Sequence, residues 1–122
     1  MSDQIFLKGL VVYARHGVMR HEGKVGQNFI IDIELTVDLQ KAAGSDRLAD
    51  TVSYGDVAEI AARAFTAKAC KLVEAAAGLV ADALLAEFRA VSQLRVTVHK
   101  PHAPVPATFA DVGVTLTRGR AP

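Results

Sequence analysis

The chain has 122 residues, and its 14 lysine and arginine residues against 13 aspartate and glutamate residues leave a formal net charge of +1. This length fits a single domain over residues 1–122 with an apolar core of its own, and the balanced charge, without a basic block, argues against a nucleic-acid partner. The most apolar stretch, residues 72–85, contains Glu74 and Asp82 and is too short to cross a membrane.

Cysteine usage and the first residues bear on the compartment in which the protein works. Cys70 is the single cysteine and cannot form an internal disulfide, which suits a reducing compartment. The chain shows no charged segment followed by an apolar stretch and a cleavage site, so no signal peptide is predicted. We therefore expect a cytoplasmic protein without a membrane partner.

Two strands are predicted in the first third of the chain. Residues 4–13 are apolar at both parities, which is typical of a strand covered on both faces, and Gly9 marks a bend or a close approach. Residues 14–25 have the glycines and mixed charges of an irregular loop. Residues 29–39 alternate apolar and polar side chains, which predicts a half-buried strand. Because a loop joins the two strands, an antiparallel hairpin is the simplest pairing.

Two helices are predicted in the middle of the chain, after a connection over residues 42–50 with room for one helical turn. Ser53 followed by Asp56 resembles a capping box, so the first helix should begin near Tyr54. The second is predicted from about Leu72 to Phe88. Its first turn contains Glu74, where the helix dipole favours a carboxylate.

Two further strands are predicted at residues 94–100 and 109–117, and three of the four prolines lie between them. The element order is then β-β-α-α-β-β. Strands grouped at both ends predict an α+β fold in which two helices lie on one face of a largely antiparallel sheet. The apolar strands around Leu7, Val11 and Phe29 are poorly suited to lone sheet edges, so we expect a homo-oligomer.

Lys100 is a candidate catalytic cation because of its place in the chain. It ends a predicted strand and precedes Pro101, whose ring biases Lys100 toward an extended backbone. The side chain should therefore leave the end of the sheet in a limited range of directions. The alternative is a solvated charge at a sheet edge, which is the common role of a lysine in such a position.

Three other polar side chains could complete an acid–base set with Lys100, and each has a structural alternative. Glu22 could be an exposed loop charge, Tyr54 a buried anchor at a helix start, and Glu74 a complement to the helix dipole. His99 and His102 lack further converging ligands for zinc, so no metal is expected. A nucleophilic triad is not supported, because no serine stands in a glycine-flanked elbow.

Six motifs follow one another along the chain: His16-Gly17-Val18, Glu22, Gly26-Gln27-x-Phe29, Asp50-Thr51-Val52-Ser53-Tyr54, Leu72-Val73-Glu74 and Val98-His99-Lys100-Pro101-x-Ala103-Pro104. Together they resemble the dihydroneopterin aldolase family of folate biosynthesis over essentially the whole chain. The resemblance implies the tunnelling fold, in which β-β-α-α-β-β units assemble into rings, commonly tetramers paired into octamers.

The resemblance also implies a reaction. Members cleave 7,8-dihydroneopterin by a retro-aldol step into 6-hydroxymethyl-7,8-dihydropterin and glycolaldehyde. The imine of the dihydropterin ring takes up the electrons, so no Schiff base, metal or cofactor is implied. By similarity, Lys100 relays a proton to the ring nitrogen and Glu22 positions Lys100. Tyr54 of a neighbouring subunit would cover the pterin and shuttle protons.

The same resemblance assigns the substrate-binding residues. Glu74 would anchor the pterin, because a carboxylate matches the paired donors of its amino-pyrimidinone edge. Main-chain groups would complete the pocket around Val52, Leu72 and Val73. Ser53 also adjoins this pocket, where the family commonly has Asn, and Ala75 replaces a common Thr.

Two alternatives stay open. The family includes side-chain epimerases, some acting on the triphosphate of dihydroneopterin, and one site can perform both reactions. An alternative of another class is a non-catalytic ring that binds pterins or purines or serves as a scaffold.

Overall fold

The structure, a computed structural model, describes residues 3–120, which form four strands and three α-helices. In chain order these are β1 (Gln4–Ala14), β2 (Gln27–Thr36), α1 (Gln40–Ser45), α2 (Tyr54–Phe65), α3 (Val73–Glu87), β3 (Gln93–His99) and β4 (Gly113–Gly119). Two short 3₁₀ helices lie in the connections, at Arg20–Gly23 and Leu48–Asp50. No helix in the described part of the chain is long and apolar enough to span a membrane.

The four strands form one antiparallel sheet in the order β1-β2-β3-β4, and the predicted hairpin of β1 with β2 is confirmed. Alternate side chains of β2 are fully buried beneath α2 and α3: Phe29, Ile31, Ile33 and Leu35. Small residues such as Ala77 and Ala81 on α3 are also fully buried and let that helix approach closely. The α+β fold with two helices on one face of the sheet is therefore confirmed.

Gly9 interrupts β1, as predicted. Its φ of 77° lies in the left-handed region, and the pairing of β1 with β2 shifts register between Leu7 and Leu10. The backbone N–H of Gly9 donates to the Asp32 carboxylate at 2.8 Å. This hydrogen bond connects the edge strand β1 to a side chain on the face of the sheet that the helices do not cover.

The prediction that β1 is covered on both faces is wrong for the single chain. Phe6, Val11 and Tyr13 on the face away from the helices are 59–65% exposed. Both long helices pack on the opposite face, so among residues 3–120 nothing covers these three side chains. The apolar residues that made β1 resemble a central strand form an exposed patch instead.

The helix boundaries follow the predicted capping. The Ser53 hydroxyl accepts a hydrogen bond from the Asp56 backbone N–H, and α2 begins at Tyr54. Helix α3 begins one residue after Leu72 and ends one residue before Phe88. Beyond its end, the Arg120 guanidinium donates to the carbonyl groups of Leu85, Phe88 and Val91.

Several boundaries differ from the prediction. Strand β2 ends at Thr36 rather than at residue 39. Helix α1 begins at Gln40, before the start of the connection that was predicted over residues 42–50. Strand β4 begins at Gly113 rather than residue 109. Just before β4, the N–H of Val112 donates to the Asp111 side chain instead of to a neighbouring strand.

Two glycine substitutions should change stability in opposite directions. A Cβ on Gly113 would collide with the Val98 carbonyl oxygen, whereas one on Gly78, within α3, would meet no atom within 4 Å. We expect Gly113→Ala to lower the free energy of unfolding by about 1–3 kcal/mol. Gly78→Ala should raise it by about 0.5–1 kcal/mol. Urea denaturation at one fixed protein concentration measures both, and equal effects would contradict the packing described here.

Candidate active site

A cleft of about 320 Å³ opens where the end of β3 meets the start of α3 and the 3₁₀ helix Arg20–Gly23. Three charged side chains line it: Glu22, Glu74 and Lys100. The remaining lining residues are small or apolar: Val18, Met19, Val73, Ala103, Pro104, Val105, Val112, Gly113 and Val114. Apolar walls with a few convergent polar groups are the usual composition of a small-molecule site.

An ion pair lies at the base of this cleft. The Lys100 Nζ is 2.8 Å from the Glu22 Oε2, and the two side chains are only 14% and 3% exposed. The structural alternatives, a solvated lysine at a sheet edge and an exposed loop glutamate, are therefore both wrong. Glu22 is buried because the 3₁₀ turn that carries it folds back over the start of β2.

Three donors hold the Glu22 carboxylate. Its Oε1 accepts from the backbone N–H of Met19 at 3.2 Å, while its Oε2 accepts from Gln27 Nε2 at 3.1 Å and from Lys100. Burial raises the pKa of Glu22, but the hydrogen bonds from Lys100, Met19 and Gln27 outweigh burial and bring the pKa below its ordinary value. Glu22 is therefore an anion at neutral pH.

The backbone on both sides of Lys100 is held in place. Its N–H donates to the Val112 carbonyl at 2.9 Å, and its carbonyl accepts from the Ala103 N–H at 3.1 Å, closing a turn at Pro101. Strand β3 ends at His99, so Lys100 is the first residue beyond the sheet. The direction of the lysine side chain is thus set by the last strand bonds and by the proline turn.

His99, the preceding residue, is clamped between two carboxylates. Its Nε2 is 2.7 Å from Asp32 Oδ2, and its Nδ1 is 2.6 Å from Asp111 Oδ2. Both ring nitrogens donate when the imidazole is protonated, and the Asp32 bond in particular raises the pKa of His99, with Asp111 adding to the effect. This clamp joins β2, β3 and the loop before β4 next to Lys100.

A buried histidine anchors the loop that carries Glu22. His16 Nδ1 accepts from the Cys70 N–H at 3.0 Å, so its Nε2 donates to the Phe65 carbonyl at 2.7 Å. Burial lowers the pKa of His16 and favours this neutral form. The next residue, Gly17, has no room for a side chain because the Glu22 carboxylate lies against its Cα. The loop and the carboxylate therefore pack as one unit.

The structure brings half of the predicted site residues together. Lys100, Glu22, Glu74 and Val73 line the one cleft, with Glu74 exposed in the first turn of α3. The others do not line it: Tyr54, Ser53, Val52 and Leu72.

The four remaining residues lie at two places in the chain: Val52, Ser53 and Tyr54 at the start of α2, and Leu72 directly before α3. Tyr54 is 69% exposed and Leu72 is 51% exposed, whereas Val52 is buried. Tyr54 is therefore not the buried anchor that its place at a helix start suggested. Its ring is available to a neighbouring molecule.

Two contributors to the site had no assigned role in the sequence. Gln27 and His99 lie within the recognised motifs, but their contacts join residues far apart in the chain. No periodicity or spacing reveals such contacts. The apolar residues after Pro101 that line the cleft also had no role assigned from the sequence, although two of them, Ala103 and Pro104, belong to the last motif.

Metal ligation finds no support in the geometry. Within residues 3–120, no three His, Cys, Asp or Glu side chains are arranged to hold a metal ion. Both ring nitrogens of His99, the first of the two histidines considered for zinc, contact Asp32 and Asp111.

Comparison with known proteins gives consistent matches over the whole chain. The family model described as FolB, dihydroneopterin aldolase, matches residues 5–117. A dihydroneopterin aldolase from Methylorubrum extorquens is 41% identical over 121 residues, which cover 99% of this chain and 93% of the relative. One from Bacillus subtilis is 33% identical over 119 residues, covering 98% of this chain and 99% of the relative.

Solved structures also match nearly the whole chain. The dihydroneopterin aldolase of E. coli in complex with neopterin is 38% identical, with a TM-score of 0.87 over 96% of this chain and 99% of that one. The dihydroneopterin aldolase of Burkholderia thailendensis bound to guanine is 28% identical, with a TM-score of 0.79 over 98% of this chain and 92% of that one.

The His99 clamp should make stability depend on pH in a defined direction. Because the pKa of His99 is raised above 6.5 in the folded chain, its stabilising contribution is complete below that pH and is lost as pH rises through the folded-state pKa. We expect the difference in thermal midpoint between the parent protein and His99→Gln to shrink from about pH 6 to about pH 8.5. His102→Gln, at an exposed histidine, is the matched control. A difference that is constant across this range would contradict the clamp.

Proposed function

We propose how this cleft works from the premise that the chain belongs to the dihydroneopterin aldolase family, as the match over residues 5–117 and the relative at 41% identity show. Its activity is that of an aldolase of folate biosynthesis, a carbon–carbon lyase. The substrate is 7,8-dihydroneopterin, and the products are 6-hydroxymethyl-7,8-dihydropterin and glycolaldehyde.

The observation that carries the proposed mechanism is the buried ion pair of Lys100 with Glu22 at 2.8 Å. Retro-aldol cleavage removes a proton from a side-chain hydroxyl, and the pair of electrons from the broken carbon–carbon bond passes into the ring imine. The ring nitrogen then takes up a proton, which gives an enamine. When the enamine is protonated at carbon, the ring nitrogen releases its proton again, so the imine re-forms and the net change is one proton moved from the hydroxyl to carbon. We assign to Lys100 the proton delivered to the ring nitrogen.

Glu22 supports this role by charge. As an anion at the back of the cleft, it pairs with the Lys100 ammonium and limits where that group can lie. Burying two opposite charges is costly, and a ring that only binds ligands or serves as a scaffold has no use for such a pair. The pair therefore favours catalysis over the non-catalytic alternative.

Glu74 is proposed as the anchor of the pterin. It projects from the first turn of α3 at the cleft, and its neighbour Val73 also lines the wall. Neopterin and guanine, the molecules bound to the two solved relatives, share an amino-pyrimidinone edge with adjacent N–H donors. One carboxylate can accept both donors at once, so Glu74 suits a pterin ligand.

We further propose that a second copy of the chain completes the site. The exposed Tyr54, together with Val52 and Ser53, would then face the cleft of the neighbouring copy. The unpaired edges of β1 and β4 and the exposed apolar patch of β1 support association into a ring. A tetramer ring, paired into an octamer and working in the cytoplasm, is the proposed form.

A side-chain epimerase activity is proposed for the same cleft. If the new aldehyde stays bound, the bond can re-form on its other face and give the epimer. The triphosphate of dihydroneopterin is the alternative substrate. Incubating the protein with each substrate, without added metal, and analysing glycolaldehyde and the epimer by chromatography distinguishes these activities. Pterin binding without either product would overturn the catalytic proposal.

Two substitutions should separate turnover from binding. Lys100→Ala removes the proton donor, so kcat for 7,8-dihydroneopterin should fall by about 100- to 10,000-fold while neopterin still binds. Glu74→Ala removes a charged acceptor, so the Kd for neopterin should rise by about 10- to 100-fold. Stopped assays give kcat, and neopterin fluorescence gives Kd. Full turnover in the Lys100 variant, or unchanged affinity in the Glu74 variant, would refute the corresponding role.

A further inference from the structure

We propose that Gln27 is a positioning residue of this site: it orients the Glu22 carboxylate and, through that carboxylate, Lys100. The inference rests on the proposed function and adds a residue to it. Gln27 is not among the residues that line the cleft, and its side chain instead donates to Glu22. We therefore assign its effect on the reaction to its contact with Glu22.

The contacts at Glu22 show how Gln27 acts. The Glu22 Oε2 accepts both from Gln27 Nε2 at 3.1 Å and from Lys100 Nζ at 2.8 Å. The other oxygen accepts from the backbone N–H of Met19. Among residues 3–120, Gln27 is therefore the one neutral side chain that shares an oxygen of Glu22 with the proposed proton donor, and it fixes the rotation of the carboxylate about its last bond.

The other end of the Gln27 amide supports a directed contact. Its Oε1 is buried and has no hydrogen-bond partner among residues 3–120. Turning the amide over would place this oxygen against the Glu22 carboxylate, where two acceptors repel. A buried polar atom without a hydrogen-bond partner requires an explanation. Here the amide directs its N–H at Glu22, and this orientation leaves its own oxygen unpaired.

The surrounding fold makes Gln27 a rigid support. It is the first residue of β2 and pairs with Ala14 of β1, while Phe29 further along β2 is fully buried. The donor is therefore fixed to the sheet, whereas Glu22 is carried by a short 3₁₀ turn. Losing the donor should let the carboxylate rotate and should raise the pKa of Glu22, since one of the bonds that favours its charged form is gone.

Two variants test this role with opposite pH responses. Gln27→Met keeps the length but has no donor, so kcat should fall about tenfold with KM changed less than about threefold. Its activity relative to the parent protein should fall further as pH decreases, because Glu22 of the variant is protonated at a higher pH than Glu22 of the parent. Gln27→Glu places a second carboxylate beside Glu22. Its activity relative to the parent protein should instead recover as pH decreases, because a proton shared by the two carboxylates restores a donor.

The controls separate this role from a purely structural one. Gln40→Met changes an exposed glutamine at the start of α1 and should leave kcat and its pH profile unchanged. A merely structural Gln27 would alter the thermal midpoint while kcat and its pH profile remain those of the parent protein, and that result would overturn the inference. If the parent protein itself releases no glycolaldehyde, the proposed function fails, which is a distinguishable outcome.

Discussion

The buried ion pair of Lys100 and Glu22 is the interaction on which the site depends. Removing two charges from water costs roughly several kcal/mol for each ion. This cost is offset only where the two ions face each other with good geometry and satisfied hydrogen bonds. Here the 2.8 Å contact is supported by Gln27 and by the Met19 backbone. The pair joins the turn before β2 to the residue after β3, so the cleft exists only when sheet and loops are both in place.

Two histidines hold the segments that carry this pair, and their pKa values are shifted in opposite directions. His16 is neutral and bonds the Phe65 carbonyl at the end of α2 and the Cys70 N–H beyond it, which fixes the loop leading to Glu22. His99 donates to Asp32 and Asp111 when protonated, which fixes the end of β3 next to Lys100. The environments account for the difference, because His16 lies among apolar rings whereas His99 lies between carboxylates on the open face of the sheet.

Periodicity and capping predicted most of the fold. The alternation around Phe29, the Ser53 cap and the apolar spacing of α3 are local signals, and those elements were confirmed within a few residues. The start of β4 was missed because the apolar alternation begins before the ladder does. The burial of Glu22 and Lys100 was not predictable from the residues alone, because it depends on contacts between distant segments. The family resemblance suggested their pairing, but neither it nor the spacing identified Gln27 or the His99 clamp.

The central claim is that Lys100 of one copy works with Tyr54 of another. Mixing Lys100→Ala with Tyr54→Phe chains in equal amounts, through unfolding and joint refolding, tests it directly by the rate of glycolaldehyde release. If the site is shared, random mixing makes about a quarter of the sites complete and restores about that share of the parent activity. Activity no higher than the mean of the two variants refolded separately would contradict the claim.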